Sequence, residues 1–178
     1  TILADAVFVS DKLGAEGLAA MNLAMCVFGL MNGAGLLFGV GGATRYTILR
    51  TRGQDREAAG VFSLALGCAL AAGAAGALAG LLFSRQLSVW LGANEDPFVF
   101  CNTYLCTILC LAPAFILNHL LMAFVRNDGN PALAMRAMTL GSLANIVLDY
   151  LFLYPLEMGI FGAAIATGIA ALLSIGLC

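Results

Sequence analysis

The residues able to do chemistry are few, and one pair stands out. Asp149 sits inside an otherwise uncharged apolar run, with Asn145 four residues before it. On a helix that spacing puts the amide and the carboxyl on one face. A carboxylate held in lipid costs about 2.5–3.5 kcal/mol on insertion scales and commonly marks an ion or proton pathway. Helical rotation groups Met138, Gly141, Ser142, Asn145, Asp149 and Phe152 on that face and sends Ile146, Val147, Leu151 and Leu153 elsewhere. The stripe is one-sided, so it is expected to point into a bundle. The structural alternative is an interhelical hydrogen bond from a permanently protonated Asp149.

Three further polar positions could join such a site. Asp5 lies in the short apolar stretch that opens the chain and either faces the same interior or sits as an acid at a membrane interface. Thr167, within Gly162–Gly168, offers a hydroxyl that either joins a polar site or bonds to its own helix backbone. His119, beside Asn118, could relay protons or serve as a satisfied packing residue. Asn118, His119 and Ser142 are therefore accessory polar residues. Catalytic chemistry has little to build on: there is no HExxH, GxSxG or Walker sequence, and His119 is the single histidine. The six cysteines lie in apolar runs without a CxxC pair, so they read as small buried hydrophobes and no metal set is expected. No organic cofactor is implied. Gly33, Gly35, Gly39, Gly41 and Gly42 lack the strand that a phosphate loop requires and read as packing or bending sites.

The elements that hold these residues must live in lipid. The 178 residues are 62% hydrophobic and 10% charged, with mean hydropathy +0.98. Soluble domains run at about 45–50% apolar and about 25% charged. The net charge of −2 argues against a nucleic-acid partner. Five stretches are long and apolar enough to span: Gly17–Thr44, Ala58–Phe83, Pro97–Val125, Ala137–Leu156 and Met158–Cys178. With the opening stretch Thr1–Ser10, read as the tail of a truncated helix, they predict an all-α polytopic bundle of about six transmembrane helices in one unit over residues 1–178. Both ends read as cut, so the chain is expected to be a fragment.

Short polar connections separate the spans: Asp11–Gly14, Arg50–Arg56, Asn94–Pro97 and Arg126–Pro131, then Tyr154-Pro155 before Gly159. Asn130 can cap the fifth helix, with Pro131 at its first position. Arg45, Arg50, Arg52, Arg56, Arg126 and Arg136 fall on one side, and Lys12 and Arg85 on the other. The positive-inside rule makes the arginine-rich side cytoplasmic. Two rows of small residues, Gly67/Ala71/Ala75/Ala79 and Gly162/Ala166/Ala170/Ser174, predict close helix packing. Trp90 and Tyr154 fit an interfacial aromatic belt.

The segments Phe124–Pro131, Asn145–Asp149 and Gly159–Thr167, together with Asp5–Ser10 followed by Leu13-Gly14, closely resemble the multidrug and toxic compound extrusion (MATE) family, bacterial and archaeal branch. The resemblance covers essentially the whole chain. It implies a twelve-helix transporter of two six-helix lobes, of which this chain is the N-terminal one, in the plasma (inner) membrane. It implies antiport of cationic or lipophilic compounds against protons or sodium, and a coupling-ion site at Asp5, Asn145, Asp149 and Thr167. The partners so implied are the bilayer, the small substrates and the missing C-terminal lobe. A lipid-linked substrate flippase of the same architecture is the alternative, disfavoured because the arginines sit at helix ends. A non-transporting membrane subunit is the third.

Overall fold

The computed structural model describes residues 2–91 and 98–178, and among these the chain is helical throughout. The elements are α1 (Ile2–Thr51), α2 (Asp55–Trp90), α3 (Phe98–Cys110), α4 (Ala112–Asn127), α5 (Pro131–Leu153) and α6 (Gly159–Gly176). Helices of this length and hydropathy match the expected class, an integral membrane helical bundle. The third connection, Asn94–Pro97, lies outside the described residues.

The partition into spans differs from the expectation in two places. The opening stretch and the second helix are joined in α1, whose 50 residues would reach about 75 Å if straight, more than twice the hydrocarbon thickness. The break falls at Gly14 alone, where φ 67° and ψ −159° leave helical geometry. Helix therefore runs through Asp11 and Lys12, which had read as part of a polar connection. The other difference is the stretch ending at Val125. It is not one rod but α3 and α4, bent by 50° at their junction. Pro113 stands at the start of α4. Its missing N–H removes a helical hydrogen bond and its ring crowds the preceding turn, which is an ordinary cause of a kink.

Local sequence explains the remaining ends. Asn130 caps α5 by accepting from the Leu133 N–H at 3.2 Å, with Pro131 as the first helical residue. Gly53 and Gly129 take positive φ in the two arginine-rich turns, and Gly159 does so at the start of α6. The ends meet as the basic-residue pattern implies: Arg50 forms an ion pair with Asp128, while Lys12 sits over the Tyr154 ring, 5.0 Å from its centroid.

Packing follows small residues, though not every row expected. In α2 the buried positions are Ala58, Ala65, Ala69, Gly73, Gly80 and Ser88. Gly67, Ala71 and Ala75 are exposed and Ala79 is only half-buried, so that row faces outward, two residues out of phase with the true seam. Gly73 and Gly80 instead admit Pro113 and Leu109 of the bent pair. The α6 row is fully buried at Gly162, Ala166, Ala170 and Ser174. Gly35, Gly39 and Gly42 let α1 approach α4 and α2, whereas Gly33 and Gly41 meet nothing. The cysteines need correction too. Only Cys101 is buried, and Cys26, Cys110 and Cys178 are exposed. A thiol on an outward face costs little where the solvent is hydrocarbon, because it behaves as a small hydrophobe.

Candidate functional site

The inward face of α5 is a row at near four-residue spacing: Ala134, Ala137, Gly141, Asn145, Asp149 and Leu153. Ala137, Gly141 and Ser174 of α6 set the helix separation, with Ser174 Oγ donating to the Ala137 carbonyl at 3.2 Å. Met138 is 63% exposed and lies off this face. Leu153 is buried on it, at the position the expected stripe gave to Phe152. The row turns by a near-constant four-residue step, which carries it toward Leu153 and leaves Ser142 and Phe152 on half-buried flanks.

The structure brings together the four residues of the expected site. Asp149 is fully buried, Asn145 is 1% exposed and Asp5 is 7% exposed. The Asp5 and Asp149 carboxyl groups neighbour each other directly. Asn145 Nδ2 donates to Thr167 Oγ1 across a long 3.5 Å contact. Thr167 Oγ1 in turn donates to the Ala163 carbonyl at 3.0 Å, so both readings of this hydroxyl hold at once. Asp5 Oδ1, Asn145 Oδ1 and both Asp149 oxygens have no hydrogen-bond partner among the described residues. Buried acceptors are satisfied in nearly all folded proteins, and unsatisfied ones call for an occupant. Four acceptor oxygens with no ion-pair partner among the described residues suit a proton or a small hard cation such as sodium.

One residue of this neighbourhood had no signal in the pattern of charges. Tyr104 of α3 is 6% exposed and lies within Coulombic reach of both Asp5 and Asp149. The available cue was chemical: a tyrosine in the middle of a span carries a hydroxyl that needs a partner.

The accessory residues fall elsewhere. His119 Nε2 donates to Asn32 Oδ1 at 2.8 Å, tying α4 to α1 where Gly35 lets the His119 side chain close in. Such a contact is what the packing reading of His119 expects. Asn118 Oδ1 is buried without a partner among the described residues. An open cavity of about 540 Å³ lies at the far ends of α1, α2 and α4, lined by Tyr46, Arg50, Asp55, Phe62, Phe124 and Asp128 among others. It does not include the acid pair. The chemistry of a buried, uncompensated carboxylate pair marks the interior site more strongly than size marks the cavity.

Fold and site together define an integral membrane helical bundle with a buried polar centre whose acceptor oxygens lack partners among the described residues. The chain belongs to the MatE family, whose model matches residues 2–151. It is 31% identical over 153 residues to the multidrug export protein MepA of Staphylococcus aureus (strain MRSA252), covering 86% of this chain and 34% of that protein. It superposes with TM-score 0.93 and 30% identity on an inward-facing multidrug resistance MATE family transporter of the MOP superfamily, over 98% of this chain and 40% of that one. An outward-facing MATE family transporter matches with TM-score 0.86 and 31% identity, over 98% and 39%. The chain thus spans about a third of its curated relative and two fifths of the solved chains.

Proposed function

We propose that this chain is the N-terminal lobe of a secondary antiporter that exports cationic or lipophilic compounds in exchange for protons or sodium. The observation that carries the reading is the adjacent burial of Asp5 and Asp149, with Asp5 Oδ1 and both Asp149 oxygens lacking a hydrogen-bond partner among the described residues. A proton or a sodium ion supplies the missing positive charge, and Asn145 and Thr167 supply neutral oxygens beside it. Loading the site removes buried charge and favours one packing of the α1 segment on α5. Unloading favours another. An ion moves such an equilibrium only through its different affinity for the two states. The lobe's likeness to transporters in both inward- and outward-facing conformations supports rigid rocking of lobes around a fixed site, an arrangement common among secondary transporters. The arginine-rich turns at Arg50–Arg56 and Arg126–Pro131 then face the cytoplasm of the plasma membrane.

The test uses the complete transporter in proteoliposomes loaded with a fluorescent lipophilic cation. An imposed proton or sodium gradient is expected to drive its counter-movement. Movement indifferent to both gradients overturns the proposal.

A further inference from the structure

The outer end of the acid site carries a second connection between the same two helices. Tyr154, at the C-cap of α5, donates its hydroxyl to Asp11 Oδ2 of α1 at 2.5 Å. The same ring takes Lys12 Nζ 5.0 Å from its centroid, meets Phe8 edge-on at 6.1 Å and stacks on Tyr150 at 5.0 Å. Gly159, at the start of α6, lies close to Leu13 beside the Gly14 break. Tyr154 is therefore gripped from both sides, and its hydroxyl points at the only segment of α1 that precedes the break.

The heights of the two connections match. Asp5 to Asp11 is about 9 Å of helix rise on α1, and Asp149 to Tyr154 is about 7.5 Å on α5. The segment bearing Asp5 is thus held on α5 at two levels, by the acid pair and, about one and a half turns outward, by Asp11–Tyr154. Gly14 lies just beyond the second level, where the backbone leaves helical geometry before α1 resumes.

We propose that Asp11 and Tyr154 are positioning residues for the coupling-ion site: their hydrogen bond holds the α1 segment in register so that Asp5 meets Asp149. The inference rests on the antiport reading above. Neither residue touches the ion. This hydrogen bond is solvent-exposed, and an ordinary hydrogen bond contributes, net of the water it replaces, enough to shift an equilibrium about three- to tenfold. Removing it lets the segment move on its Gly14 hinge, spreads the oxygens and weakens ion binding by that factor while substrate contacts stay.

The experiment measures gradient-driven transport of a fluorescent lipophilic cation by the complete protein in proteoliposomes, as a function of proton or sodium concentration. Tyr154→Phe keeps the ring and its stacking and removes only the hydroxyl. Asp11→Ala removes the acceptor, and Asp11→Asn retains an acceptor oxygen. Tyr154→Phe and Asp11→Ala are each expected to move the half-saturating ion concentration about three- to tenfold toward weaker binding, with near-wild-type maximal rate. The double variant is expected to move it no further, and Asp11→Asn to restore most of it. An unchanged half-saturation in both single variants, additive shifts in the double, or a loss of maximal rate with unchanged half-saturation overturns the positioning role. Asp149→Asn in the same assay separates the two proposals. If it abolishes ion dependence while the Tyr154 and Asp11 variants leave half-saturation alone, only the positioning role fails. If Asp149→Asn itself retains ion-driven transport, the antiport site fails.

Discussion

Gly73 of α2 and Pro113 of α4 are in backbone contact: a Cβ at residue 73 would stand 2.6 Å from Pro113 Cα. Backbone cannot swing aside as a side-chain tip can, so this site has no room for a methyl group. Gly73→Ala is expected to cost about 1–3 kcal/mol through overpacking. Gly67→Ala, on the outward face with nothing within 4 Å, is expected to be neutral or slightly stabilising through the loss of glycine's backbone freedom. Thermal unfolding in detergent compares the two. Equal midpoints would contradict the seam described for α2.

That contrast also shows what can be read from sequence. Chain-wide hydropathy was enough for the class, and the Asn130-Pro131 cap, the Tyr154-Pro155 stop and the Gly14 break follow from residue chemistry. The seam of α2 did not, because this helix offers small residues on several faces and spacing alone cannot choose among them. Met138 and Phe152 yield their expected places to Ala137 and Leu153 for a similar reason: a nominal rotation per residue accumulates error over four turns. The acid centre was legible because lipid makes a mid-span carboxylate expensive. Tyr104 was not, because a phenol in an apolar run has no comparable cost. The bend after Cys110 was present in Pro113, but a proline inside a long apolar run can be tolerated in a straight-enough span.

Asn145 and Thr167 are expected to contribute unequally. The Asn145 side chain is buried among unsatisfied oxygens, whereas the Thr167 hydroxyl already donates to Ala163 and receives only a 3.5 Å contact from Asn145. Asn145→Ala should therefore weaken the ion dependence of transport by about tenfold, within the range for losing a buried polar partner. Thr167→Val should weaken it by less than about threefold. Concentration–response curves for the coupling ion in the two variants give the comparison, and a larger effect from Thr167→Val would contradict the arrangement.

The Arg50–Asp128 ion pair joins the ends of α1 and α4, with side chains 48% and 46% exposed. At that exposure it contributes little and is screened by salt. A double-mutant cycle on Arg50→Ala and Asp128→Ala in low and high salt should give a small coupling that shrinks as salt rises. A large, salt-independent coupling would mean that this end is far less exposed in the complete protein.

Tyr154 lies just beyond α5, and its phenol is held above the ordinary tyrosine range, first by the hydrogen bond to Asp11 and then by desolvation and the Asp11 charge. A raised folded-state value means the contact is fully formed below the ordinary value of about 10 and is lost as pH rises through the higher folded-state value. Ultraviolet titration, taken as wild type minus Tyr154→Phe, should show this phenol ionising above the ordinary tyrosine value. Asp11→Ala should bring that ionisation down. An unchanged curve in Asp11→Ala would remove Asp11 as the cause.

The account turns on Asp149 as the group that exchanges the coupling ion. The direct measurement is efflux of a fluorescent lipophilic cation by the complete transporter carrying Asp149→Asn, at wild-type expression and folding, under an imposed proton or sodium gradient. Asparagine keeps the shape and loses the charge that the ion neutralises. The account predicts that gradient-driven efflux falls by at least about tenfold, the effect of about 1.4 kcal/mol or more in ion binding. Efflux at the wild-type rate, still driven by the gradient, would contradict it.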